Sequence, residues 1–293
     1  MSFTGDVKSE LCRITTQKPC CAIAESMGIL LFANRFTTEN ARVQSENPAI
    51  LKRAAALIQK ASGVEALLSD TLLLVTDPGD LERLFEAFGY QFKNRPLQLN
   101  LAIVEEDCCK SAYLRGAFLI GGYASVSAKG YHLELVTSHY SVANQTKTLL
   151  RDLEMPCGTV QRRGNQVLYY KDSALIEDFL SLSGATNAAM ELMLQKVERE
   201  MRNTVNRKIN CDNANVDKTV NAAFKQAEAI KKLKDVGVFD SLPESLRQTA
   251  ELRLDNPEMP LSELCTLLSP PLSKPGLNNR FRKIMEIAGE IKL

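Results

Sequence analysis

Hydrophobic spacing divides the chain into two stretches of different character. Up to about residue 186, segments with helical apolar spacing alternate with short β-rich runs, whereas from Asn187 onward apolar residues recur only at helical intervals. The first stretch opens with a helix from Phe3 to Ile14, capped by Ser2 or Thr4, and an apolar helix from about Cys20 to Ala33. Ala41–Ser45 alternates as a strand, Asn47–Ser62 reads as a helix through Leu51, Ala55 and Ile58, and Val64–Thr76 carries a Leu-Leu-Leu-Val strand after a turn at Ser69–Asp70. Asp80–Phe88 reads as a short helix and Leu97–Val104 as a strand. The order then recurs: an apolar helix at about Cys108–Ile120, a Gly-Gly break, a strand at Tyr131–Thr137 and a helix through Val142, Leu149 and Leu153. A hairpin of Thr159–Arg162 and Gln166–Tyr170 follows, with Gly164 and Asn165 supplying the positive φ of its turn, and a helix at Ala174–Leu182 closes the repeat. Two helix-strand-helix-hairpin units of about a hundred residues each imply an α+β domain with pseudo-twofold symmetry.

Beyond Asn187, Met190, Leu194, Val197, Met201 and Val205 mark a connecting helix packed on one side, because the stripe is too short for a coiled coil. A polar break at Asn210–Asn215 precedes a helix through Val216, Val220, Phe224, Ala227 and Ile230, whose Lys218, Lys225, Lys231, Lys232 and Lys234 read as a solvated face with phosphate contact as the alternative. Ser241–Leu242–Pro243–Glu244 has capping-box spacing and starts a helix through Leu246, Ala250 and Leu254. A short helix at Leu261–Leu268, a Ser269–Pro270–Pro271–Leu272 break, and a last helix capped by Ser273 and running through Leu277, Phe281, Ile284 and Ala288 end the chain.

Composition narrows the function classes. The 293 residues are 45% hydrophobic and 24% charged, an ordinary globular balance that excludes collagenous or disordered classes. With 36 Lys and Arg against 35 Asp and Glu, any nucleic-acid site must be local rather than a global field. No apolar run approaches a bilayer span and the first residues do not form a signal segment, so the expected location is cytoplasmic, with no membrane partner. The eight cysteines (12, 20, 21, 108, 109, 157, 211 and 265) include no C-x-x-C knuckle, and only His132 and His139 offer imidazole. Adjacent cysteines on a regular helix or strand are not expected to share an ion, so the reading is small buried free thiols, with no metal and no cofactor.

Local charge does appear at the C-terminal end. Leu261–Leu268 and Ser273–Gly289, joined by about four residues, have helix-turn-helix dimensions. Between Leu272 and Met285 stand four cations and no acid. Asn278, Asn279, Arg282 and Lys283 fall opposite the apolar face, with Arg280 on the flank, and Ser273 and Lys274 begin the helix. Arg pairs bidentately with guanine and Asn with adenine, while Lys274 and the first-turn amides suit a phosphate. An amphipathic terminal helix with a solvated basic face fits the same spacing.

Four segments together resemble one family: Tyr113-Leu-Arg-Gly-Ala-Phe-Leu-Ile-Gly-Gly122, Asn210-Cys-Asp-Asn-Ala-Asn-Val-Asp-Lys-Thr219, Leu242-Pro-Glu244 with Ala250-Glu-Leu-Arg-Leu254, and Pro271 through Lys283. All are similar to the WhiA family, and the likeness covers nearly the whole chain. Tyr123 after Gly121–Gly122, and Pro275 before Gly276, depart slightly from the family pattern. The resemblance implies a regulator of Gram-positive bacteria that joins a pseudo-twofold LAGLIDADG homing-endonuclease-like α+β domain to an all-α helix-turn-helix domain. It further implies a link to sporulation, cell division and chromosome segregation, and association with the nucleoid. On this basis residues 1–186 are the degenerate LAGLIDADG-like domain, 187–209 a connecting helix and 210–293 the helical DNA-binding domain, with the helix-turn-helix at about 260–289. Double-stranded DNA is the expected partner, with room for a protein co-regulator, and the expected DNA-binding residues are Ser273, Lys274, Asn278, Asn279, Arg280, Arg282 and Lys283.

A LAGLIDADG nuclease needs an acid at the base of each of two packed helices, to hold the divalent metals that activate water. Aligned on the motif, Gly121 and Ala33 occupy those positions, so no catalytic residue is expected and cleavage chemistry is read as lost. Gly28 and Gly116 fit a packing role. A residual endonuclease, or a saddle that binds protein or ligand with DNA contact secondary, are the alternatives. Gly121–Gly122 lacks phosphate-loop spacing and reads as a helix stop; His132 and His139 read as structural, and Glu105, Glu106 and Asp107 as solvated loop charge.

Overall fold

The computed structural model describes residues 2–92, 97–127 and 130–291. The chain forms two compact units, residues 1–198 and 199–293. The first contains α1 (Phe3–Cys12), α2 (Pro19–Leu31), β1 (Arg35–Phe36), β2 (Ala41–Gln44), α3 (Pro48–Ser62), β3 (Leu67–Leu68), β4 (Leu72–Val75) and α4 (Pro78–Ala87), then α5 (Asp107–Gly121), β5 (Gly122–Ser127), β6 (Gly130–Thr137), α6 (Tyr140–Asp152), β7 (Gly158–Arg162), β8 (Asn165–Tyr170) and α7 (Ser173–Ser183). The strands form two antiparallel sheets of identical order, β1-β2-β4-β3 and β5-β6-β8-β7, so each half follows the same path. The unit is the pseudo-twofold LAGLIDADG-like α+β fold.

Each half is nevertheless helix–hairpin–helix–hairpin–helix, richer in strands than its spacing suggested. β5 follows α5 without a break: Gly122 already has extended backbone, and small residues and serines conceal the alternation. Gly121 and Gly122 stop α5 as expected, and Gly121 is also a close-approach residue, since a Cβ there would lie 2.4 Å from the Val136 carbonyl oxygen. Leu97–Val104 is no strand; Leu101–Val104 forms a 3-10 turn capped by Asn100, while the Leu99 amide donates to Gln145 Oε1 at 2.6 Å. In the β7–β8 hairpin the positive φ falls on Arg163 (50°) and Gly164 (84°), not on Asn165, which is already paired with Arg162.

α2 and α5 pack as the central pair, and glycine sets their separation. A Cβ on Gly28 would stand 2.3 Å from the Tyr113 carbonyl oxygen, and one on Gly116 would stand 2.1 Å from that of Glu25. The two contacts are reciprocal, as a twofold crossing requires, and only residues without a Cβ permit that backbone approach. Beside them the fully buried Glu25 carboxylate accepts from Arg53 (Nε 2.5 Å, Nη2 3.0 Å), Arg115 (Nε 3.0 Å) and the Thr16 hydroxyl (3.0 Å). Arg115 also donates to the Ser183 carbonyl at 3.0 Å, tying the pair to the end of α7. The exposed edge of β5 is partly covered by α1, because the Thr4 hydroxyl both donates to and accepts from the Ala124 backbone, at 2.6 and 2.9 Å.

Helix α8 (Thr186–Asp235) corrects the expected break at Asn210–Asn215 and with it the connecting helix ending at 209. The segment contains no Gly or Pro, and the propensity cost of single Asn and Asp residues is too small to stop a helix. Glu10 caps its start, accepting from the Asn187 and Ala188 amides at 2.8 and 3.0 Å. The stripe Met190, Leu194, Val197, Met201 and Val205 is not packed on one side: each residue is more than half exposed.

The second unit has its own core, in which Ile230, Leu233, Phe239, Leu246, Ala250 and Leu264 surround Leu277, Phe281, Ile284 and Ala288. It comprises the end of α8, α9 (Glu244–Asp255), α10 (Leu261–Leu264) and α11 (Lys274–Glu290). Ser241 does not cap α9; it ends a 3-10 turn, donating to the Val238 carbonyl, and Pro243 precedes the helix. α10 is one turn rather than the expected Leu261–Leu268: past Leu264 the Thr266 and Leu267 amides bond three residues back, to Glu263 and Leu264, and the Cys265 carbonyl accepts from the Leu272 amide of the following loop at 3.1 Å. Among the described residues no helix is long and apolar enough to cross a membrane.

Candidate nucleic-acid interface

The first turns of α11 combine open amides, cations and side-chain amides on one exposed surface. Ser273 caps the helix, its hydroxyl accepting from the Gly276 amide at 3.3 Å, and Pro275 fits the first turn, where no intrahelical donor is needed. At about 100° per residue, Leu277, Phe281, Ile284 and Ala288 form the buried side. Lys274, Asn278, Asn279, Arg282 and Lys283 are all exposed, as is Ser273. The first acid of the helix is Glu286, 3.7 Å from Arg282 Nε; both side chains are more than half exposed, so the pair is weak and Arg282 can leave it.

Arg280 departs from its expected place in this group. It is half-buried, and its Nη1 donates to the Ser245 carbonyl at 3.1 Å and the Thr249 hydroxyl at 3.3 Å. The guanidinium therefore seats α11 against α9. Sequence spacing alone put it on the flank, and what spacing could not show is that Thr249 is a buried polar partner there.

Two further residues position α11. Arg253 is 1% exposed and has no acid beside it: Nε donates to Gln226 Oε1 at 3.0 Å, Nη1 to the Asn256 and Met259 carbonyls at 3.2 and 2.6 Å, and the guanidinium lies 5.3 Å from the Phe281 ring centre. Burial pushes its pKa down from the usual arginine value. It ties the α9–α10 connection to the inner side of α11. Lys232 caps the other end, donating to the Ala288 and Ile291 carbonyls at 2.9 Å each, and Lys234 lies 4.7 Å from the Phe239 ring centre. These two lysines of the supposed solvated face thus have intramolecular partners, whereas Lys218, Lys225 and Lys231 are exposed.

The sheets of the first unit offer less to an anion. Glu134 on β6 accepts from Arg162 at 3.2 Å and lies 3.0 Å from His132 Nε2, and His132 stacks on Tyr169. Arg42 donates to Gln44 at 3.4 Å, and Arg35, opposite it in register, pairs with Glu39. Arg163 and Lys171 are exposed.

At the C-terminal ends of α2 and α5 lies a cavity of ≈ 340 Å³ lined by Phe32, Ala33, Asn34, Gln44, Ile120, Gly121, Val136, Thr137, Ser138 and Asn165. This is where a LAGLIDADG nuclease would place its acids, and no lining residue carries a carboxylate. Thr137 spends its hydroxyl on the Leu31 carbonyl at 3.1 Å. His139 precedes α6; its Nε2 is buried without a hydrogen-bond partner, and burial lowers its pKa.

The opposite ends of the same helices correct the reading of the cysteines as buried thiols whose adjacent pairs cannot point at one place. The Sγ atoms of Cys20, Cys21, Cys108 and Cys109 all lie within 4.8 Å of one another. The expectation failed because it considered one helix at a time: each adjacent pair sits in a first turn, and the helix crossing brings the two pairs face to face. The repetition of Cys-Cys at the start of both central helices was the signal that could have exposed this. Asp107, beside the second pair, accepts from Lys110 at 2.7 Å, which holds its carboxyl below the usual range.

Comparison with known proteins agrees with this architecture. Residues 110–202 match the WhiA LAGLIDADG-like domain model and residues 205–288 the WhiA C-terminal HTH domain model. The chain is 36% identical to a protein of Ruminiclostridium cellulolyticum named probable cell division protein WhiA, covering 100% of this chain and 98% of the relative. It is 35% identical to the protein of that name from Alkaliphilus oremlandii, with the same coverage. Among solved structures, full-length DUF199/WhiA from Thermotoga maritima has the same fold, with TM-score 0.60 and 23% identity over 100% of both chains. With a LAGLIDADG-like unit whose two halves share one strand order, a helix-turn-helix unit behind it, and relatives matched from end to end, the chain belongs to the WhiA family.

Proposed function

We propose that the protein is a sequence-specific DNA-binding transcription regulator without nuclease activity, linked to cell division, sporulation and chromosome segregation. It acts in the cytoplasm at the nucleoid. The observation that carries the reading is the exposed face of α11, where Lys274, Asn278, Asn279, Arg282 and Lys283 precede any acid on the helix. Recognition helices enter the major groove with their N-terminal residues against base edges. Arg282 and Asn278 are the base readers in this geometry, Lys274 and Ser273 with the first-turn amides hold a phosphate, and Asn279 and Lys283 flank the groove. Arg280 and Arg253 set the angle of the helix. The relatives' name, probable cell division protein, supports the cell-division link; sporulation and chromosome segregation rest on the family resemblance alone.

The cavity at Ala33 and Gly121 supports the absence of cleavage, since it offers no carboxylate to the divalent metals that such a nuclease requires. The first unit therefore serves as a folded support and a surface for a protein co-regulator. Footprinting of the full-length chain across genomic fragments tests the assignment: discrete protected sites are expected, and they should vanish in a Lys274→Ala, Asn278→Ala, Arg282→Ala variant that remains folded. Protection that survives these three substitutions would move recognition elsewhere. Metal-dependent nicking of plasmid by the purified chain in magnesium or manganese would refute the non-enzymatic reading.

A further inference from the structure

Cys20 and Cys21 occupy the first turn of α2, and Cys108 and Cys109 the first turn of α5, at equivalent places in the two halves. Within each pair the sulfurs are 4.0 Å apart, and the Cys21 thiol donates to the Cys108 carbonyl at 3.6 Å. Four thiolates on one tetrahedral ion with bonds of about 2.3 Å stand about 3.8 Å from one another. The observed cluster, with every separation within 4.8 Å, needs to contract by no more than an ångström to close on a single ion. An iron–sulfur cluster distributes its thiolates over several irons and so needs wider spacing.

We propose that Cys20, Cys21, Cys108 and Cys109 bind one zinc ion as a closed tetrathiolate site. Four protein ligands leave no position for water or substrate, so the ion is structural. It ties together the N-terminal ends of α2 and α5, the ends remote from Ala33 and Gly121. Helix N-termini favour negative charge, and both pairs sit where that effect is strongest, which offsets the accumulation of thiolates. Binding releases the thiol protons to solvent as the sulfurs coordinate. Cys21 and Cys109 are buried and Cys20 is exposed, which gives the ion a route in. Ordinary core packing explains Cys21 and Cys109 but not an exposed Cys20 converging on the same point.

The test uses the full-length chain purified under reducing conditions without chelator. Elemental analysis should find one zinc per chain. Cobalt exchanged into the site should give intense sulfur-to-metal charge-transfer absorption with tetrahedral d–d bands, and X-ray absorption should count four sulfurs at about 2.3 Å. Cys20→Ser, a substitution at an exposed position, should weaken zinc binding by more than about tenfold while circular dichroism stays native. Cys157→Ser and Cys265→Ser, outside the cluster, should leave it unchanged. A reduced, folded chain that takes up no zinc overturns the proposal, as do full zinc affinity in Cys20→Ser and Cys109→Ser, an iron–sulfur chromophore, or disulfides joining these cysteines in the freshly isolated protein.

Discussion

Replacing Glu25 by Gln is the sharpest test of how the central helix pair is held. Glu25 is 0% exposed, and its two oxygens accept two bonds from Arg53, one from Arg115 and one from Thr16. Gln preserves the volume but removes the carboxylate charge that pairs with two guanidiniums whose side chains are each 9% exposed, and it turns an NH2 group toward one of them. Breaking a buried pair by removing one partner costs about 3–5 kcal/mol, because the charge left behind is neither solvated nor paired. For a unit of this size each kcal/mol lowers the melting temperature by about 2–4 °C, so a drop of roughly 6–20 °C is expected. Differential scanning calorimetry of the full-length chain measures it, with the exposed Glu39→Gln as a control that should shift little. Below its melting point the variant should keep wild-type DNA affinity, since the α11 surface belongs to the other unit. A Glu25→Gln protein within about 0.5 kcal/mol of wild type would refute the view that this triad is desolvated and mutually dependent.

Single substitutions on α11 should separate base reading from phosphate contact: Arg282→Ala and Asn278→Ala should each cost about 1–3 kcal/mol on the cognate site only, while Lys274→Ala should weaken all sequences and flatten the salt slope by about one unit, as titrations at several salt concentrations would report. Arg253→Met leaves Gln226 and two carbonyls without their donor in the core of the second unit, and should destabilise it by about 3 kcal/mol in urea denaturation; Arg253→Lys should not rescue it, because one ammonium cannot span the same three acceptors. Lys8 is pushed down to about 8 by burial, so between that pH and the unfolded lysine pKa the unfolded chain binds the extra proton and stability rises with pH; Lys8→Met should abolish that rise in pH-dependent melts. Gly121→Asp with Ala33→Asp should lower the melting temperature without creating magnesium-dependent cleavage, and plasmid nicking by the double variant would show that a catalytic scaffold persists.

Periodicity made the long elements legible because their burial is one-sided. Leu277, Phe281, Ile284 and Ala288 are buried as their spacing predicts, and Gly28 and Gly116 pack as the motif resemblance implies. What escaped was decided by partners distant in sequence. β1 and β3 are two residues each, too short to show alternation. Arg280 and Lys232 look like free surface cations until Thr249, Ser245 and the end of α11 are brought to them by folding. The break predicted at Asn210–Asn215 failed for the opposite reason, local polarity being taken for a stop where nothing sterically interrupts the helix.

The helix pair α2–α5 can be followed from one end to the other as a sequence of different solutions to the same close approach. At the N-terminal ends thiols face one another, further along the Glu25–Arg115 pair crosses beside Gly28 and Gly116, which allow backbone contact, and at the far ends Ala33 and Gly121 line a cavity. An acid at position 121 is excluded by more than lost chemistry. Its Cβ would stand 2.4 Å from the Val136 carbonyl and 2.7 Å from Phe32 Cδ1, so strand β6 and the end of α2 have settled against a residue with no side chain. Close packing of this kind is not relaxed by one substitution, because the interior transmits the displacement rather than absorbing it. The two central helices thus stay locked by packing at the end where a nuclease of this fold would need them to hold metal. That arrangement is consistent with the division of labour proposed above, in which DNA recognition is assigned to α11.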